Sequence, residues 1–402
     1  MKYVQILAFG VLIWLLAGCS QGRLYQFLNE GDVSPRTFAS EIPFERTLGL
    51  IIIEVQIEGR DYRFLLDSGA PNILDESLAS RLGIAGKRKW KVTDGSGSSR
   101  KLSFALLDSI SIGGITFRKT AAAIADLQEV PELKCLNIDG FIGANLMRQA
   151  VWQIDFEQER IRIVSSGDSL KASGSGIEVP FVMTPQGTPY IQLVGDRDTF
   201  PRITLDLGSN SSIEAPRSYY YTRKQLNKAV QSFGANEANL YGKKADTSYL
   251  SFFQQVQLGD SLLGSFPVSF EGEGKEGYIG TRFLQSFLLT LDWNKRVVIF
   301  TPVRRALDTS LETFGFSASF DGGEMRVAAI MRGGPADVQD LRIGDRILFL
   351  NGQDFINFNE SAYCRFFLQQ ELKTKWEVLD MMVEQDGVTR RLKLKKTDLF
   401  TE

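Results

Sequence analysis

The stretch Phe64-Leu-Leu-Asp-Ser-Gly-Ala-Pro-Asn-Ile-Leu74 joins an apolar strand to a turn that carries one carboxylate, Asp67. Apolar residues on both sides half-bury this carboxylate, and Gly69 lets backbone amides approach it closely. An acid in such surroundings can acquire a shifted pKa, as acid–base catalysis requires. Ordinary hairpin turns use the same Asp-Ser-Gly chemistry, so the stretch alone does not distinguish a site from a turn.

A second copy of the pattern follows in the same chain. Ile203-Thr-Leu-Asp-Leu-Gly208 again runs from an apolar strand into a turn, and Asp206 lies 139 residues after Asp67. An aromatic-Ile-Gly triplet follows each aspartate, and these triplets end at Gly143 and Gly280, which are 137 residues apart. Features that recur at nearly the same spacing indicate an internal duplication.

The composition of the chain limits which kinds of catalytic and metal site it can contain. The 402 residues carry a net charge of −2, are 43% hydrophobic and include no histidine. This length is sufficient for two or three domains, and the near-neutral charge argues against nucleic acid as a partner. Without histidine, the usual serine and cysteine triads and histidine-based zinc sites are excluded. Carboxylates are then the obvious acid–base groups, and we expect no metal and no cofactor.

Residues 1–18 have the features of a signal peptide. Lys2 precedes an apolar run from Val4 to Leu16, which is shorter than the roughly 20 residues of a membrane-spanning helix. Leu16-Ala-Gly-Cys19 resembles a bacterial lipobox. The resemblance implies cleavage before Cys19 and a lipid-anchored lipoprotein of the bacterial cell envelope, periplasmic or outer-membrane facing, with the membrane as partner through the anchor only. A plain secretory signal is the alternative.

We expect residues 19–44 to form a tether, because they are mixed and polar and show no clear period. Cys135 and Cys364 are far apart in the sequence and fall in different expected domains. We therefore expect no disulfide between them, although the compartment would permit one.

Short strands and turns fill both repeats. In the first, Asp75 to Leu82 has the pattern of a helix with Asp75 as N-cap, and Trp90 to Phe104 has that of a hairpin. The tip of this hairpin suits a mobile flap, although glycines suit any long hairpin; it consists of Asp94, Gly95, Ser96 and Gly97. Five serines and three glycines between Ser165 and Gly176 place the boundary between the repeats there. In the second repeat, Pro216 to about Phe233 is predicted to be a longer helix.

The C-terminal segment has a different character. A strand begins in Phe314-Gly-Phe-Ser317, Gly333-Gly-Pro-Ala336 precedes Ile343-Gly-Asp-Arg-Ile347, and Asn351-Gly352 is a tight turn. Asn359 to Leu372 has the pattern of a helix, and two charged strands follow. These elements indicate a separate small domain.

Two family resemblances account for nearly the whole sequence. Residues 45–303, with their two Asp-x-Gly turns and two hydrophobic-hydrophobic-Gly triplets, resemble the bacterial retropepsin-like aspartic proteases in a fused, pepsin-like two-lobe form. Residues 311–398 resemble a PDZ domain of the bacterial protease-associated type. The resemblance implies a mainly β fold. Two duplicated retropepsin-like β-barrel lobes, residues 45–170 and 171–303, form one cleft, and a small α+β PDZ domain follows.

The family mechanism is carried over onto the two aspartates. The resemblance implies that Asp67 and Asp206 share one proton and activate a water, so that the protein is an aspartic endopeptidase acting on polypeptides. Glycines let the two turns approach each other and pack behind them, and the flap tip closes over substrate. The supporting residues at the turns are Ser68, Gly69, Gly143, Gly208, Ser209 and Gly280. Because both lobes lie in one chain, we expect a monomer.

One position departs from the family pattern. The family has Ser or Thr after each aspartate, with a hydroxyl that hydrogen-bonds across to the other turn; Ser68 fits this pattern and Leu207 does not. Ser209 could donate to Asp206 instead. The alternative to an enzyme is a non-catalytic peptide-binding or scaffold lipoprotein with a degenerate protease fold, in which the PDZ domain supplies the function.

The PDZ resemblance implies a peptide groove between a strand edge and a helix. Its carboxylate-binding loop would consist of Phe314, Gly315, Phe316 and Ser317. Phe316 and helix residues 362–367 would form the pocket for an apolar last side chain. Capture of C-terminal peptides is the favoured interpretation; the alternative is a domain packed on a protease lobe with its groove closed, which would regulate access.

Overall fold

The computed structural model describes residues 22–95, 97–170, 176–196, 198–222, 229–235, 238–272, 274, 276–303 and 311–400. Cys19 and Ser96 of the sequence predictions lie outside the described residues. The protein is mainly β. Within the ranges given, no helix is long and apolar enough to span a membrane.

The first repeat consists mostly of strands with a few short helices. Its strands are Asp32–Ser34, Ala39–Pro43, Glu45–Thr47, Leu50–Ile57, Arg60–Asp67, Ile73–Asp75, Arg88–Thr93, Ser99–Ile112, Ile115–Ala125, Gly140–Gly143, Val151–Asp155 and Arg160–Val164. Its helices are 22–28, Glu76–Arg81, Pro131–Leu136 and Ala144–Met147, with a 3-10 turn at Gly167–Ser169. The predicted N-cap is confirmed, because the Asp75 side chain accepts a hydrogen bond from the Ser77 N–H at 2.9 Å.

Residues 22–44 are part of this fold, so the prediction of a tether is wrong for them. The helix at 22–28 buries Phe27 and Leu28, and strand Ala39–Pro43 pairs antiparallel with Arg160–Val164. A few apolar side chains fix the segment, although they are spaced too irregularly to show a period in the sequence.

Asp67 is positioned by strands on both sides. Strand Arg60–Asp67 pairs antiparallel with Leu50–Ile57 and parallel with Gly140–Gly143, where Gly143 is the partner of Asp67. The last four residues of the strand are buried, as an apolar run between two neighbouring strands should be. Asp67 therefore lies at the end of a rigid central strand.

The second repeat follows the same plan. Its strands are Ile177–Pro180, Val182–Met183, Pro189–Gly195, Asp198–Leu205, Ile213–Pro216, Val230–Gly234, Ala238–Asn239, Gly242–Lys243, Asp246–Phe253, Val256–Leu258, Ser261–Leu263, Phe266–Glu271, Gly277–Ile279, Phe287–Asp292 and Val297–Pro302. Strand Asp198–Leu205 pairs parallel with Gly277–Ile279, as Arg60–Asp67 does with Gly140–Gly143. The duplication in the sequence is therefore a duplication of strand pairing.

The predicted long helix of the second repeat is only partly correct. Helices form at Arg217–Thr222 and Thr281–Leu284, but Val230–Gly234 is a strand. This strand is paired on both edges, with Asp246–Phe253 of its own repeat and with Glu324–Met331 of the C-terminal domain. Hydrogen bonding on both sides overrides the local preference of the sequence.

One sheet and one core join the two repeats. Six strands form the sheet, in the order Ile177–Pro180, Val297–Pro302, Phe287–Asp292, Val151–Asp155, Arg160–Val164 and Ala39–Pro43. At the junction the Gln153 amide donates to Thr290 Oγ1 at 3.1 Å. A hydrophobic cluster extends through both repeats. The two aspartate turns are therefore held by a common scaffold.

The C-terminal domain has a core of its own. Its strands are Glu312–Thr313, Phe316–Asp321, Glu324–Met331, Arg346–Leu350, Gln353–Asp354, Val378–Gln385, Val388–Lys395 and Thr397–Asp398, and its helices are Pro335–Val338, Glu360–Leu368 and Glu371–Thr374. The predicted helix from Asn359 to Leu372 is interrupted at Gln370, whose φ of 49° lies in the left-handed region. Asn359 caps the first part by accepting from the Ala362 N–H at 2.9 Å.

A disulfide joins the first repeat to the C-terminal domain, so the expectation of no disulfide is wrong. Cys135 on helix Pro131–Leu136 is bonded to Cys364 on helix Glu360–Leu368, with their Cα atoms 4.9 Å apart. The two cysteines are 229 positions apart in the sequence. At that separation nothing in the local pattern indicates that the two helices meet.

Candidate active site

The turn after the first aspartate holds its carboxylate through backbone N–H groups. Asp67 Oδ1 accepts hydrogen bonds from the N–H of Gly69 at 2.9 Å and from that of Ala70 at 3.0 Å. The residue is only 9% exposed. The two N–H groups fix the orientation of the carboxyl group within a nearly closed environment.

The second turn repeats this geometry from the other repeat. Asp206 Oδ1 accepts from the Gly208 N–H at 2.8 Å. A Cβ on Gly208 would lie 2.6 Å from Asp67 Oδ2, and a Cβ on Gly69 would lie 2.8 Å from Asp206 Oδ2. Glycine alone leaves room for this approach. The structure thus brings together the two aspartates that the sequence singles out.

The two carboxyl groups contact each other, and Asp67 is buried while Asp206 is half-buried. Burial, followed by the charge of Asp206, raises the pKa of Asp67 well above its ordinary value, against the lowering effect of the Gly69 and Ala70 N–H groups. Burial also raises the pKa of Asp206, while hydrogen bonds from the Gly208 N–H and the Asp67 carboxyl lower it. Both carboxyl groups therefore resist ionisation, and they titrate as a pair that can hold one shared proton.

Ser68 ties the two turns together from one side. Its hydroxyl donates to the carbonyl oxygen of Leu205 at 2.6 Å and accepts from the N–H of Leu207 at 3.0 Å. Ser68 and Leu207 are both completely buried. The Leu207 side chain belongs to the core shared by the two repeats, so apolar packing replaces the second hydroxyl of the family pattern.

The predicted donation from the Ser209 hydroxyl to Asp206 is wrong. This hydroxyl donates to Ser211 Oγ at 2.9 Å and lies 3.4 Å from Glu214 Oε1. Ser209 instead contributes its backbone N–H, which lowers the pKa of Asp206. The second turn therefore holds its aspartate through the backbone, as the first turn does.

Gly143 and Gly280 lie directly behind the two turns. A Cβ on Gly143 would collide with the backbone of Pro71 and Asn72, and one on Gly280 would lie 2.6 Å from the carbonyl oxygen of Ser211. The Gly143 N–H donates to Asn72 Oδ1 at 2.7 Å. Glycine at both positions lets a strand pass close behind each turn.

The described residues of the first hairpin tip form a compact turn. The Gly97 N–H donates to the Asp94 carbonyl oxygen at 3.0 Å, and Asp94 Oδ1 accepts from the Ser98 N–H at 3.0 Å. A Cβ on Gly95 would lie 2.8 Å from Asn239 Oδ1 of the second repeat. The tip therefore lies against the second repeat.

Tyr241 takes part in this contact, and it is not among the residues that the sequence singles out. Its N–H donates to Asp94 Oδ2 at 3.2 Å, and its hydroxyl donates to the Val92 carbonyl oxygen at 3.2 Å. Burial, followed by the Asp94 charge, raises the pKa of Tyr241 to about 12. Tyr241 lies between strands Val230–Gly234 and Asp246–Phe253, which form the second-repeat counterpart of the first hairpin. The duplication indicates a second hairpin in this region but not which of its residues meets the first.

A polar pair lies next to Asp206. Tyr278 and Glu214 are cross-strand partners. Burial, followed by the charges of Asp206 and Glu214, raises the pKa of Tyr278. The corresponding pair in the first repeat, Phe141 and Ile73, is apolar and buried. The surroundings of the two aspartates therefore differ in polarity.

The predicted carboxylate-binding loop of the C-terminal domain is engaged within that domain. The Gly315 N–H donates to Thr313 Oγ1 at 3.0 Å. Phe314 and Phe316 belong to the domain core, and Ser317 lies in a paired strand. The Gly315 N–H is thus already satisfied by a side chain of the chain itself.

The aspartate pair places two carboxyl groups with raised pKa values side by side, so that one can hold a proton while the other is ionised. Such a pair can accept a proton from water and donate a proton to a carbonyl oxygen. Over the described ranges, no three Cys, Asp or Glu side chains come together as ligands for a metal ion. The arrangement is suited to general acid–base chemistry.

Two family models match parts of the chain. Residues 53–146 match the aspartyl protease model, and residues 306–383 match the PDZ domain model. The first match includes Asp67 and Gly143, and the second includes the helix that carries Cys364. No curated protein matches the chain. The chain therefore contains a retropepsin-like aspartyl protease domain followed by a C-terminal PDZ domain.

Proposed function

We propose that this protein is an aspartic endopeptidase whose two repeats are β-barrel lobes that each contribute one aspartate, Asp67 and Asp206, to a single cleft. The observation that carries the proposal is the reciprocal approach of the two turns, in which each glycine lies against the opposite carboxyl group. The raised pKa of Asp67 supports a pair that shares one proton. A buried acid held against a half-buried one is costly for a structural element, because burial and mutual repulsion disfavour their charged forms.

Asp206 acts as general base and Asp67 as general acid in the first step. Asp206 takes a proton from a water between the carboxyl groups, and the water oxygen bonds to the carbon of the scissile carbonyl. The Asp67 proton passes to the carbonyl oxygen, which yields a neutral gem-diol. The proton on Asp206 then passes to the amide nitrogen and the C–N bond breaks. Asp67 recovers a proton from one gem-diol hydroxyl as the new carboxyl group forms.

The two hairpins that meet through Asp94 and Tyr241 are the flaps of this cleft. Tyr241 joins them by its hydrogen bonds to Asp94 and Val92, each of which contributes only about 1 kcal/mol net, and the Arg100 guanidinium lies over the Tyr241 ring at 5.0 Å. The flaps can therefore separate to admit a peptide. Closed over the peptide, they would keep bulk water away from the carboxyl pair.

The PDZ domain regulates access to the cleft through the second flap. Its strand Glu324–Met331 pairs with flap strand Val230–Gly234, so the flap sheet and the PDZ sheet are continuous. Next to the paired residues, the Ala235 N–H donates to the Ala328 carbonyl oxygen at 3.0 Å. A flap joined to a domain in this way cannot move far unless the domain moves with it.

The PDZ domain is also fixed to the first lobe. Beside the Cys135–Cys364 disulfide, the hydroxyl of buried Tyr363 donates to Glu132 Oε1 at 2.6 Å, and Glu132 is buried as well. The Tyr363 ring stacks on Phe320 with the ring centroids 5.2 Å apart. This contact joins the helix and the strand that flank the expected peptide groove. The contacts favour an access-regulating role over capture of free C-termini.

A non-catalytic scaffold is the second candidate function, and Leu207 is the observation that favours it. With a leucine there, the second turn has no hydroxyl at the position that Ser68 occupies in the first turn. Asp206 nevertheless accepts from the Gly208 N–H at 2.8 Å, as a functional aspartate would. Hydrolysis of a peptide bond separates the two candidates.

We further propose a monomeric bacterial lipoprotein of the cell envelope, cleaved before Cys19 and held by its lipid. The support is the apolar run that ends in Leu16-Ala-Gly-Cys19, together with a disulfide, which suits an oxidising compartment. Metabolic labelling with a fatty-acid analogue should mark the wild-type chain and not Cys19→Ser. Label in neither protein, or in both, contradicts the anchor.

The enzymatic proposal is tested on the protein without residues 1–18, incubated with an unfolded protein substrate over a range of pH. Mass spectrometry should find new internal termini with the wild type and none with Asp67→Asn, which keeps the shape of the side chain but removes the acid. Circular dichroism checks that both proteins are folded. No cleavage by the folded wild type, or equal cleavage by the variant, contradicts the proposal.

A further inference from the structure

Thr188 of the second repeat reaches across to the first catalytic turn. Its Oγ1 donates to the carbonyl oxygen of Gly69 at 3.2 Å. The residue is 2% exposed, so water does not compete easily for this hydrogen bond. The contact joins a loop of one repeat to the turn that carries the aspartate of the other.

The loop around Thr188 fixes the direction of the hydroxyl. The Gln186 side-chain amide donates to Thr188 Oγ1 at 2.9 Å. Because a hydroxyl has one proton to donate, this arrangement leaves that proton for Gly69. The Thr184 N–H donates to the Thr188 carbonyl oxygen at 2.9 Å, and the Thr188 N–H donates to Thr184 Oγ1 at 3.1 Å. The donor is therefore held by its own loop.

The loop is in turn anchored in the core. The indole N–H of Trp293 donates to the carbonyl oxygen of Gly187 at 2.7 Å. Trp293 is 4% exposed and belongs to the core that both repeats share. A chain of contacts thus runs from the common core to the Gly69 carbonyl group.

Gly69 links this chain of contacts to both aspartates. Its N–H donates to Asp67 Oδ1 at 2.9 Å, and its α-carbon faces the Asp206 carboxyl group, since a Cβ there would lie 2.8 Å from Oδ2. A small rotation of the Gly69 backbone would change the hydrogen bond to Asp67 and the gap to Asp206 together.

The corresponding contact on the other side is weaker. The Asn210 side-chain amide donates to the Leu48 carbonyl oxygen at 3.2 Å, but Asn210 is exposed. Leu207 also supplies no hydroxyl to the first turn. Thr188 is a buried residue of the second repeat whose side chain donates a described hydrogen bond to the first turn.

We propose that Thr188 is a positioning residue for the peptidase reaction, which holds the Gly69 backbone and through it sets the geometry of the aspartate pair. The proposal rests on the proposed function. Thr188 would then supply the hydroxyl by which the second repeat contacts the first turn, although Thr188 does not follow the aspartate in the sequence.

The test compares Thr188→Val, which removes the hydroxyl at nearly constant volume, with Thr188→Ser, which restores it. We expect Thr188→Val to lower kcat about 10-fold with KM changed less than twofold, and to alter the pH profile of kcat. Thr188→Ser should keep most of the wild-type kcat. Thr116→Val, which removes a hydroxyl hydrogen bond to Ser111 in a hairpin turn, is the matched control. Wild-type kcat in Thr188→Val, or equal losses in the Val and Ser variants, overturns the proposal.

A second variant and a second readout cover the remaining outcomes. If Thr188→Val does not fold, Gln186→Ala, at a partly exposed position, should lower kcat severalfold by freeing the hydroxyl to rotate; an unchanged kcat overturns the proposal. If the wild type hydrolyses no peptide, the proposed function fails separately. The pH dependence of the unfolding free energy then still reports the environment of Asp67. It should change in Thr188→Val and not in Thr116→Val, and identical curves contradict the positioning role.

Discussion

Ser68 and Leu207 are joined across the two repeats by one hydrogen bond, from the Leu207 N–H to the Ser68 hydroxyl at 3.0 Å. The same hydroxyl donates to the Leu205 carbonyl oxygen at 2.6 Å, whereas the Leu207 side chain packs into the shared core. The hydroxyl at the position after the aspartate is thus present in the first turn and replaced by packing in the second.

Ser68→Ala should therefore destabilise the protein strongly, although it removes only one oxygen atom. It leaves a buried N–H and a buried carbonyl oxygen without their partner, and each unsatisfied group costs about 1–3 kcal/mol. We expect the free energy of unfolding, measured with urea, to fall by about 2–4 kcal/mol. The control is Ser111→Ala, which removes a hydroxyl contact in a hairpin turn and should cost about 1 kcal/mol or less. Equal losses in the two variants would show that the contact between the two repeats contributes no more to stability than an ordinary hairpin contact.

The two facing glycines give a second prediction. In Gly208→Ala the new methyl group would lie 2.6 Å from Asp67 Oδ2, so the turns must separate and the carboxyl groups lose contact. We expect kcat/KM to fall by at least about 100-fold, because small displacements at a reacting centre have effects of this size. Gly264→Ala is the matched control, since a Cβ at Gly264 meets no atom within 4 Å. Full activity in Gly208→Ala contradicts the paired site.

The aspartate turns could be predicted from the sequence because their signals are local. An apolar strand, an aspartate and a glycine two residues later lie within a few positions, and the duplication repeats them. Thr188, Tyr241 and the Cys135–Cys364 disulfide could not be predicted in this way. Each of these contacts depends on a partner in another repeat or domain, and the local sequence around one partner does not identify the other.

The errors in secondary structure have the same origin. Val230–Gly234 is a strand because strands on both edges pair with it, one of them from the PDZ domain. Residues 22–44 fold because isolated side chains such as Phe27 find a core elsewhere. The Ser209 hydroxyl has nearer partners in its own turn than Asp206. In each case the local sequence is compatible with more than one structure, and tertiary contacts determine which of them forms.

The pKa of Asp67 predicts how stability depends on pH. Folded Asp67 binds its proton more tightly than unfolded Asp67, because burial and the Asp206 charge raise its pKa. Its contribution to stability is therefore fully present below the ordinary carboxyl pKa and is lost as pH rises through the raised value. Asp67→Asn should remove this loss. Relative to the wild type, the variant should gain stability from about pH 4 towards neutrality, measured by urea unfolding. Parallel curves contradict a raised pKa.

The disulfide predicts a link between the PDZ domain and the flap. In the double variant Cys135→Ser, Cys364→Ser, the PDZ domain loses its covalent bond to the first repeat, keeps the Tyr363–Glu132 hydrogen bond and stays paired with strand Val230–Gly234. We expect the free energy of unfolding to fall by about 2–5 kcal/mol and amide hydrogen exchange in this flap strand to become faster. Strand Leu50–Ile57, in the first-repeat sheet, is the internal control. Unchanged exchange in both strands means that the disulfide does not restrain the flap.

The central claim is that Asp206 works with Asp67 although Leu207 follows it, and kinetics on Asp206→Asn test this most directly. The substitution keeps a side chain of the same size beside the Gly208 N–H but removes the base that takes the proton from water. The account predicts that kcat/KM on a peptide cleaved by the wild type falls at least about 1,000-fold, with the fold intact by circular dichroism. A folded Asp206→Asn protein that keeps more than about a tenth of the wild-type kcat/KM would contradict the two-aspartate site.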